Sequence, residues 1–377
     1  MGIKKNSLEL YLHIPFCIKK CDYCDFLSGP STRAGQEAYI YALLREMEVV
    51  SVQEKRPVDT VFIGGGTPSV PECDVMEKLL QGIRDNFYLE PDAEVTIEGN
   101  PGTVTPEKLA LYRKYGINRI SLGLQSPKDE ELVSLGRIHN YAQFLESYQM
   151  ARDAGFSNIN VDLMFAIPGQ SYEGWIENLQ TVAELGPEHI SAYSLIIEDG
   201  TPFAKRKLEL PDEDTEYRMY EDVAATLGKY GYQQYEISNY AKKGRECRHN
   251  EGYWMRKDYL GLGIGASSLL GKERFTNTMD MQEYVKYSSF PDKIRKDREH
   301  LVKEDEMAEF MFLGLRMTRG VSKSEFQEYF GAGIEKIYGE ILEKYKKQGM
   351  LVEQGDRIFL SRAGIHVSNT VMADFLL

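Results

Sequence analysis

The feature that most constrains the fold is a regular alternation of strand-like and helix-like segments over roughly the first 230 residues. Short apolar runs, typical of buried strands, alternate with longer runs that are typical of helices. The strand-like runs number six and cover residues 8–14, 58–63, 93–98, 117–125, 158–165 and 189–197. This alternation predicts an α/β fold with a parallel sheet that curls toward a barrel. Since a complete barrel of the TIM type needs eight units, we predict a partial (β/α)6 barrel.

The pattern of predicted elements changes near residue 301. Two helical segments are followed there by two short strands around Gly355 and Asp356, which predicts a small α+β domain of winged-helix type. Winged helices often bind DNA, but the acidic flanks favour a packing or lid role here. We therefore predict three parts: the partial barrel over 1–240, a connecting segment with the sequence HNEGYW over 241–300, and the C-terminal domain over 301–377.

Composition limits the classes of partner and compartment. The 377 residues carry a formal net charge of −13, which argues against a broad nucleic-acid surface. No apolar run approaches the roughly 18 residues that a membrane span needs. Residues 1–7 are polar and lack the apolar core of a signal peptide. Five cysteines, three of them packed together, do not resemble a secreted disulfide framework. We therefore expect a cytoplasmic protein that does not bind nucleic acid.

Three cysteines follow the first predicted strand in a C-x3-C-x2-C pattern: Cys17, Cys21 and Cys24. Three thiolates on a short loop can hold three irons of a 4Fe-4S cluster and leave the fourth iron open to a small molecule. The spacing alone also allows a zinc site completed by His13 or Asp25. A third reading is three free thiols. The residues by themselves leave these alternatives open.

Further candidates stand where the other predicted strands end. Functional groups of a parallel barrel collect at the C-terminal ends of its strands. A glycine run lets the backbone approach a ligand closely, and no P-loop lysine follows it here. The candidates are Gly64–Gly66 with Thr67 after strand two, Glu98 after strand three, Gln125 after strand four, and Asp162 in strand five.

The cysteine motif, with Tyr23 directly before its third cysteine, and the GGGTP run resemble radical S-adenosylmethionine (SAM) proteins. The resemblance implies that Cys17, Cys21 and Cys24 hold a 4Fe-4S cluster. It also implies that SAM chelates the open iron through its amino and carboxylate groups and is cleaved by the reduced cluster.

Further motifs narrow the resemblance to one branch, which contains the anaerobic coproporphyrinogen oxidase HemN and the haem chaperone HemW. They are YLHIPFC, GGGTPS, SLGLQS, LGR, VDLMFAIPGQ and YSLIIEDGTPF, and the likeness extends over nearly the whole chain. By motif position it implies SAM contacts from Tyr11, Gly65, Glu98, Gln125, Arg137 and Asp162, with Tyr23, Gly66 and Thr67 in the same motifs. The residues alone also allow buried structural roles for Glu98 and Asp162 and a solvated loop position for Arg137.

Two features distinguish the oxidase from the chaperone within this branch. The oxidase pattern continues to a fourth cysteine, whereas this chain has Phe26 at that position, and HNEGYW resembles a signature associated with the chaperone. The resemblance implies haem ligation by His249, with Tyr253 and Trp254 stacking on the porphyrin. A cluster that merely packs the barrel against the C-terminal domain is the structural alternative, and Cys247 is an alternative haem ligand.

The favoured function is therefore a haem chaperone that binds haem, 4Fe-4S and SAM and passes haem to recipient haemoproteins. We expect a reductant such as flavodoxin or ferredoxin, and allow peripheral membrane association through partners. The alternatives are oxygen-independent oxidation of coproporphyrinogen III, another radical reaction on a tetrapyrrole, and a plain zinc protein. No residue is assigned a catalytic role, and SAM cleavage and enzyme activity stay open.

Overall fold

A computed structural model describes residues 7–376. Residues 1–6 and residue 377 lie outside the described residues. The prediction that the N-terminus is polar and lacks a signal peptide concerns mostly residues 1–6. No helix within the described range is long and apolar enough to cross a membrane.

Six parallel strands form the centre of the molecule and lie side by side in chain order. They are β1 (Leu8–Ile14), β2 (Val58–Gly65), β3 (Leu89–Gly99), β4 (Arg119–Gln125), β5 (Ile159–Phe165) and β6 (His189–Ser194). The predicted partial barrel is confirmed, with strand ends that differ by a few residues. The last strand, for example, ends at Ser194 and not at 197.

Helices connect these strands and cover the outer face of the sheet. They are α1 (Arg33–Gln53), α2 (Cys73–Asn86), α3 (Pro106–Lys114), α4 (Asp129–Ser134), α5 (Tyr141–Asp153), α6 (Tyr172–Glu184) and α7 (Glu213–Gly228), with a short 3-10 turn at Phe203–Lys205. In β1, Leu10 and Leu12 are fully buried in the same apolar core as Leu43 of α1. Successive side chains of a strand point to opposite faces, so Glu9, Tyr11 and His13 lie on the inner face.

Both edges of the parallel sheet are extended. At the β6 edge, β7 (Tyr232–Gln234) and β8 (Asn239–Lys242) pair antiparallel. At the β1 edge come β9 (Tyr259–Leu262), which pairs parallel with β1, then β10 (Ser267–Leu270), β11 (Glu273–Asn277) and β12 (Arg295–His300). The same region contains α8 (Arg248–Trp254), α9 (Met281–Tyr287) and α10 (Pro291–Ile294). Within the described residues these strands form one 12-stranded sheet.

The C-terminal region has its own sheet and its own apolar core. Its elements are α11 (Lys303–Gly314), β13 (Val321–Ser322), α12 (Lys323–Phe330), α13 (Ile334–Lys347), β14 (Leu351–Gln354), β15 (Arg357–Leu360), α14 (Arg362–His366) and α15 (Ser368–Ala373). The strand order is β13-β15-β14, and the core includes Phe326 and Tyr338. This agrees with the predicted small α+β domain of winged-helix type. The division of the chain at residues 240 and 300 stays a prediction.

Ion pairs attach the C-terminal region to the antiparallel extension of the sheet beside β1. Glu309 of α11 is buried and accepts from Arg256 at 2.7 Å and from Arg274 at 2.5 Å. One turn earlier, Glu306 pairs with Lys272 at 2.9 Å. Removing one partner of a buried ion pair is strongly destabilising, because it leaves a buried charge uncompensated. The two regions are therefore held in contact through α11.

A buried carboxyl joins α1 to the extended edge of the sheet. Glu46 accepts hydrogen bonds from the backbone N–H of Gly263 at 2.9 Å, from Asn277 Nδ2 at 2.7 Å and from the Tyr284 hydroxyl at 2.5 Å. Burial raises the pKa of Glu46 to about 7. The folded state therefore holds this proton more tightly than the unfolded chain does.

This proton makes stability depend on pH. Between the ordinary carboxyl pKa of 4.5 and about 7, the folded protein keeps a proton on Glu46 that the unfolded chain releases, so stability falls as pH rises through that window. At about 1.4 kcal/mol per pKa unit, the contribution is on the order of 3 kcal/mol. Urea unfolding of the Glu46→Gln variant at several pH values is expected to lack this component.

The matched control is Glu48→Gln, an exposed carboxyl on the same helix. We expect it to keep the wild-type slope. A Glu46→Gln protein with the full wild-type slope would refute the assignment of the proton to Glu46.

Candidate functional site

The cysteine loop is closed by backbone hydrogen bonds at its base. Gly29 N–H donates to Pro15 O at 3.0 Å, and Cys17 N–H donates to Gly29 O at 3.0 Å. Inside the loop, Cys24 N–H donates to Cys21 O at 3.2 Å, which forms a turn. The three thiols are free and partly buried. The loop therefore leaves β1 and returns to it while presenting its cysteines at the C-terminal end of the strand.

The thiols line a cavity of about 500 Å³ at the C-terminal ends of the parallel strands. Besides the cysteines, nine residues were predicted at the SAM site, and eight of them are found in the wall of this cavity. The predicted residues in the wall are Cys17, Cys21, Tyr23, Cys24, Gly65, Gly66, Thr67, Glu98, Gln125, Arg137 and Asp162. Tertiary structure thus brings together residues that are far apart in the chain.

The glycine turn after β2 lies directly against the cysteine loop. Gly66 N–H donates to Ile14 O at 2.8 Å, and Thr67 N–H donates to Phe16 O at 2.7 Å. A Cβ on Gly66 would lie 2.8 Å from Phe16 O, which is a backbone atom and cannot give way easily. Gly65 has φ +113°, a conformation that favours glycine. The run therefore has to be glycine for the two loops to meet.

Two carboxyls face the cavity, one from β3 and one from β5, with β4 between them. Glu98 Oε2 accepts from Gly65 N–H at 3.1 Å. Asp162 accepts from Ser121 at 3.1 Å, from Asn160 at 2.7 Å and from Tyr193 at 2.6 Å. Desolvation, and secondarily the charge of Asp162, raise the pKa of Glu98 to about 8. Glu98 therefore carries a proton at neutral pH, unless a ligand stabilises its charge.

Buried polar atoms in the wall are left without protein partners. Among the described residues, Gln125 Oε1 and Arg137 Nε are buried and make no hydrogen bond. Gln125 also has φ +73°, which is unusual for a residue other than glycine. Unpaired buried polar atoms cost free energy, so they fit a site that is completed by a polar ligand.

Tyr11 lies apart from this cavity, in the wall of a second one of about 700 Å³. Its hydroxyl is hydrogen-bonded to His13 Nδ1 at 3.0 Å, and His13 Nε2 is bonded to Leu27 O at 2.8 Å. The second cavity shares Phe26, Gly65 and Glu98 with the first. The two cavities are therefore neighbours across one wall.

These contacts bear on the zinc alternative. Both ring nitrogens of His13 are engaged away from the thiols. Asp25 is exposed. Across residues 7–376, no group of three His, Cys, Asp or Glu side chains is arranged to hold a single metal ion. The geometry thus lends no support to a zinc site built on the cysteines and His13.

His249 lies inside the barrel and outside both cavities. Its Nδ1 is hydrogen-bonded to Thr60 Oγ1 at 2.7 Å and its Nε2 to the Tyr253 hydroxyl at 3.0 Å. The ring stacks on Phe62 at a centroid distance of 5.2 Å. Burial lowers the pKa of His249 to about 3, so the imidazole is neutral. Of the same motif, Tyr253 and Trp254 reach the wall of the second cavity.

Comparison with known proteins agrees with this geometry. A model of the radical SAM superfamily matches residues 11–182, and a model of the HemN C-terminal domain matches residues 301–367. The haem chaperone HemW of Lactococcus lactis subsp. lactis (strain IL1403) is 38% identical over 378 residues, which covers 99% of this chain and 98% of that protein. The chain belongs to the HemW family of radical SAM proteins.

Other HemW proteins are similar over comparable lengths. That of Bacillus subtilis (strain 168) is 35% identical and that of Escherichia coli (strain K12) 36%, and they cover 97% and 99% of this chain and 98% and 99% of their own. Among solved structures, coproporphyrinogen III oxidase (HemN) from Escherichia coli matches with a TM-score of 0.88 and 23% identity, over 99% of this chain and 90% of that one. This structural likeness shows the shared fold alone.

Membership of the radical SAM superfamily implies a 4Fe-4S cluster and SAM. The cavity fits both groups, because it combines three free thiols, a glycine turn without Cβ atoms and unpaired polar atoms. Cys17, Cys21 and Cys24 would hold the cluster. A cluster held there would supply one-electron reduction of the SAM sulfonium. The individual SAM contacts stay predictions.

The sequence reasoning missed several residues of the cavity wall. Asn100 and Gly123 lie there, as does Tyr193, whose hydroxyl donates to Asp162. Their signals were present: Asn100 directly follows a strand end, and Tyr193 occupies an inward position of β6. A single Asn or Tyr at such a position is usually structural, so neither signal points to a ligand site by itself.

A prediction follows from the contact between the two loops. The Gly66→Ala variant places a Cβ against Phe16 O, so it is expected to destabilise the protein by about 1–3 kcal/mol and to lower iron incorporation. Thermal unfolding and iron analysis after anaerobic reconstitution measure both effects. Gly29→Ala is the control, because a Cβ there meets nothing within 4 Å. Equal iron contents in the two variants would refute the steric argument.

A second prediction concerns the proton on Glu98. If SAM requires ionised Glu98, its apparent affinity should rise by up to about tenfold per pH unit toward the pKa of about 8 and then level off. In isothermal titration calorimetry, the SAM affinity of Glu98→Gln should lack this pH dependence. Only the pH dependence that comes from the ionisable groups of SAM should remain. Glu94→Gln, on the same face of the same strand, is expected to keep the wild-type profile. Identical profiles for wild type and Glu98→Gln would contradict the prediction.

Proposed function

We propose that this protein binds haem and delivers it to recipient haemoproteins, with a 4Fe-4S cluster and SAM in the adjoining cavity. The observation that carries the proposal is the second cavity. Its volume of about 700 Å³ lies within the range of about 300–1,000 Å³ that is usual for small-molecule and cofactor sites. The family membership, through relatives named haem chaperones, supports the same function.

The wall of the second cavity suits a flat apolar ring. Tyr253 and Trp254 come from α8, and Phe312 and Leu313 come from α11 of the C-terminal region. Aromatic faces stack favourably on a porphyrin plane. Arg274 also lines the cavity and supplies a cationic group of the kind that binds carboxylates such as propionates. In the described conformation this guanidinium is paired with a carboxylate of α11.

Iron ligation by His249 belongs to this proposal. A neutral imidazole is a chemically suitable ligand, but both ring nitrogens are hydrogen-bonded in the described conformation. Ligation therefore requires that one of these two hydrogen bonds be broken. Tyr253 links the two places, because its hydroxyl bonds to His249 Nε2 while its ring lines the second cavity.

The partners remain part of the proposal. A one-electron donor such as flavodoxin or ferredoxin would reduce the cluster, and recipient haemoproteins would take the haem. A cytoplasmic location and contact with a membrane through partner proteins complete the proposal.

The test is a titration of the anaerobically reconstituted protein with haemin, followed by transfer to apomyoglobin as a generic acceptor. We expect a Soret band from the complex and its replacement by that of myoglobin. The absence of a Soret shift would refute the proposal. Formation of protoporphyrinogen from coproporphyrinogen III under reducing conditions would instead favour the oxidase alternative.

The wall of the cavity gives a specific prediction. Trp254→Ala removes apolar contact with the ring, so the dissociation constant for haemin should rise about tenfold, or about 1.4 kcal/mol. Phe290→Ala is the control, since Phe290 is an exposed aromatic outside the cavity wall. We expect the control to bind haemin as the wild type does. Unchanged affinity in Trp254→Ala would place haem elsewhere.

A further inference from the structure

Asn100 is fixed at the C-terminal end of β3, directly after Gly99. Its carbonyl oxygen accepts from Thr103 N–H at 3.0 Å and from the Thr103 hydroxyl at 2.7 Å. Its own N–H donates to Ser69 Oγ at 3.3 Å. The backbone of Asn100 is thus held on both sides, and its side chain leaves from a defined position.

The side-chain amide of Asn100 bridges two residues in the wall of the cavity that the three cysteines line. Asn100 Nδ2 donates to Thr67 Oγ1 at 2.8 Å, and Asn100 Oδ1 accepts from Arg137 Nη2 at 2.8 Å. A carboxamide has one donor end and one acceptor end, so it can orient a hydroxyl and a guanidinium at the same time.

Each of these partners reaches a cysteine sulfur. Thr67 Oγ1 lies 3.6 Å from Cys17 Sγ, and Arg137 Nη1 lies 3.5 Å from Cys21 Sγ. Because Thr67 Oγ1 already accepts from Asn100, its own proton is available for the sulfur. Asn100 therefore directs hydrogen-bond donors at two of the three thiols.

The neighbouring strand leaves room for this arrangement. A Cβ on Gly123 would lie 2.8 Å from Asn100 Oδ1 and 3.3 Å from Arg137 Nη2. The carbonyl of Gly123 accepts from Arg137 Nη2 at 2.6 Å. The absence of a side chain at position 123 is thus part of the geometry that joins Asn100 to Arg137.

We propose that Asn100 is a positioning residue that sets the reduction potential of the cluster through Thr67 and Arg137. Hydrogen bonds to cysteine sulfur stabilise the additional negative charge of a reduced cluster and so raise its potential. The inference rests on the assignment of the cluster to the three cysteines. It does not depend on haem delivery.

The test is a potentiometric titration monitored by EPR on reconstituted protein, with iron and sulfide content measured on the same samples. Asn100→Ala is expected to shift the midpoint potential to a more negative value at wild-type iron content. Thr67→Val, which is isosteric and lacks the hydroxyl, should produce part of that shift. In the double variant the shifts should not add, because Asn100 acts through Thr67.

Asn118→Ala is the matched control, since Asn118 bonds to the backbone of β3 but lies outside the cavity wall. We expect its potential to equal that of the wild type. An iron-replete Asn100→Ala protein with the wild-type potential would overturn the inference, and so would additive shifts in the double variant. Should Asn100→Ala assemble no cluster, an unshifted potential in both Thr67→Val and Gly123→Ala would overturn it.

The outcomes also separate this inference from the proposed function. A wild-type protein that cannot be loaded with iron would overturn both the cluster assignment and the role of Asn100. An iron-replete protein that fails to bind haemin would remove the haem proposal and leave the role of Asn100 standing.

Discussion

The close backbone contact between the glycine turn and the cysteine loop is the interaction on which the site depends. Gly66 donates to Ile14 O, and Thr67 donates to Phe16 O, so the loop is fixed to the end of β2. Only a residue without Cβ can come this near to Phe16. The same contact places the Thr67 hydroxyl beside Cys17. The thiols are thereby held at the mouth of the barrel, where the polar ends of the other strands also meet.

The two cavities give the proposed function its physical basis. They share Phe26, Gly65 and Glu98, so a ligand in one lies against the wall of the other. Glu98 lines both cavities, so a charged ligand in either one would change the ionisation of this carboxyl. Phe26, which stands where the oxidase pattern has a fourth cysteine, is 61% exposed and borders both spaces. An apolar surface at that position suits the handling of an apolar ring.

Some predictions depended on residues whose environment a sequence does not display. His249 was predicted as a haem ligand, and the structure places it in the barrel interior with both ring nitrogens bonded. Tyr11 was grouped with the predicted SAM contacts, and it lines the second cavity, which adjoins the first. Which space each side chain enters depends on how α8 and the C-terminal region pack against the barrel.

The sequence by itself determined the six strands, the helices between them, the end of the barrel that carries the polar residues and the three cysteines. It could do so because strand alternation, glycine runs and cysteine spacing are local patterns. Only the tertiary structure decided that Asn100 joins Thr67 to Arg137, and that the buried Glu46 accepts a hydrogen bond from Tyr284. Those contacts link residues between 33 and 238 positions apart. Their geometry follows from the packing of whole elements, which no local pattern encodes.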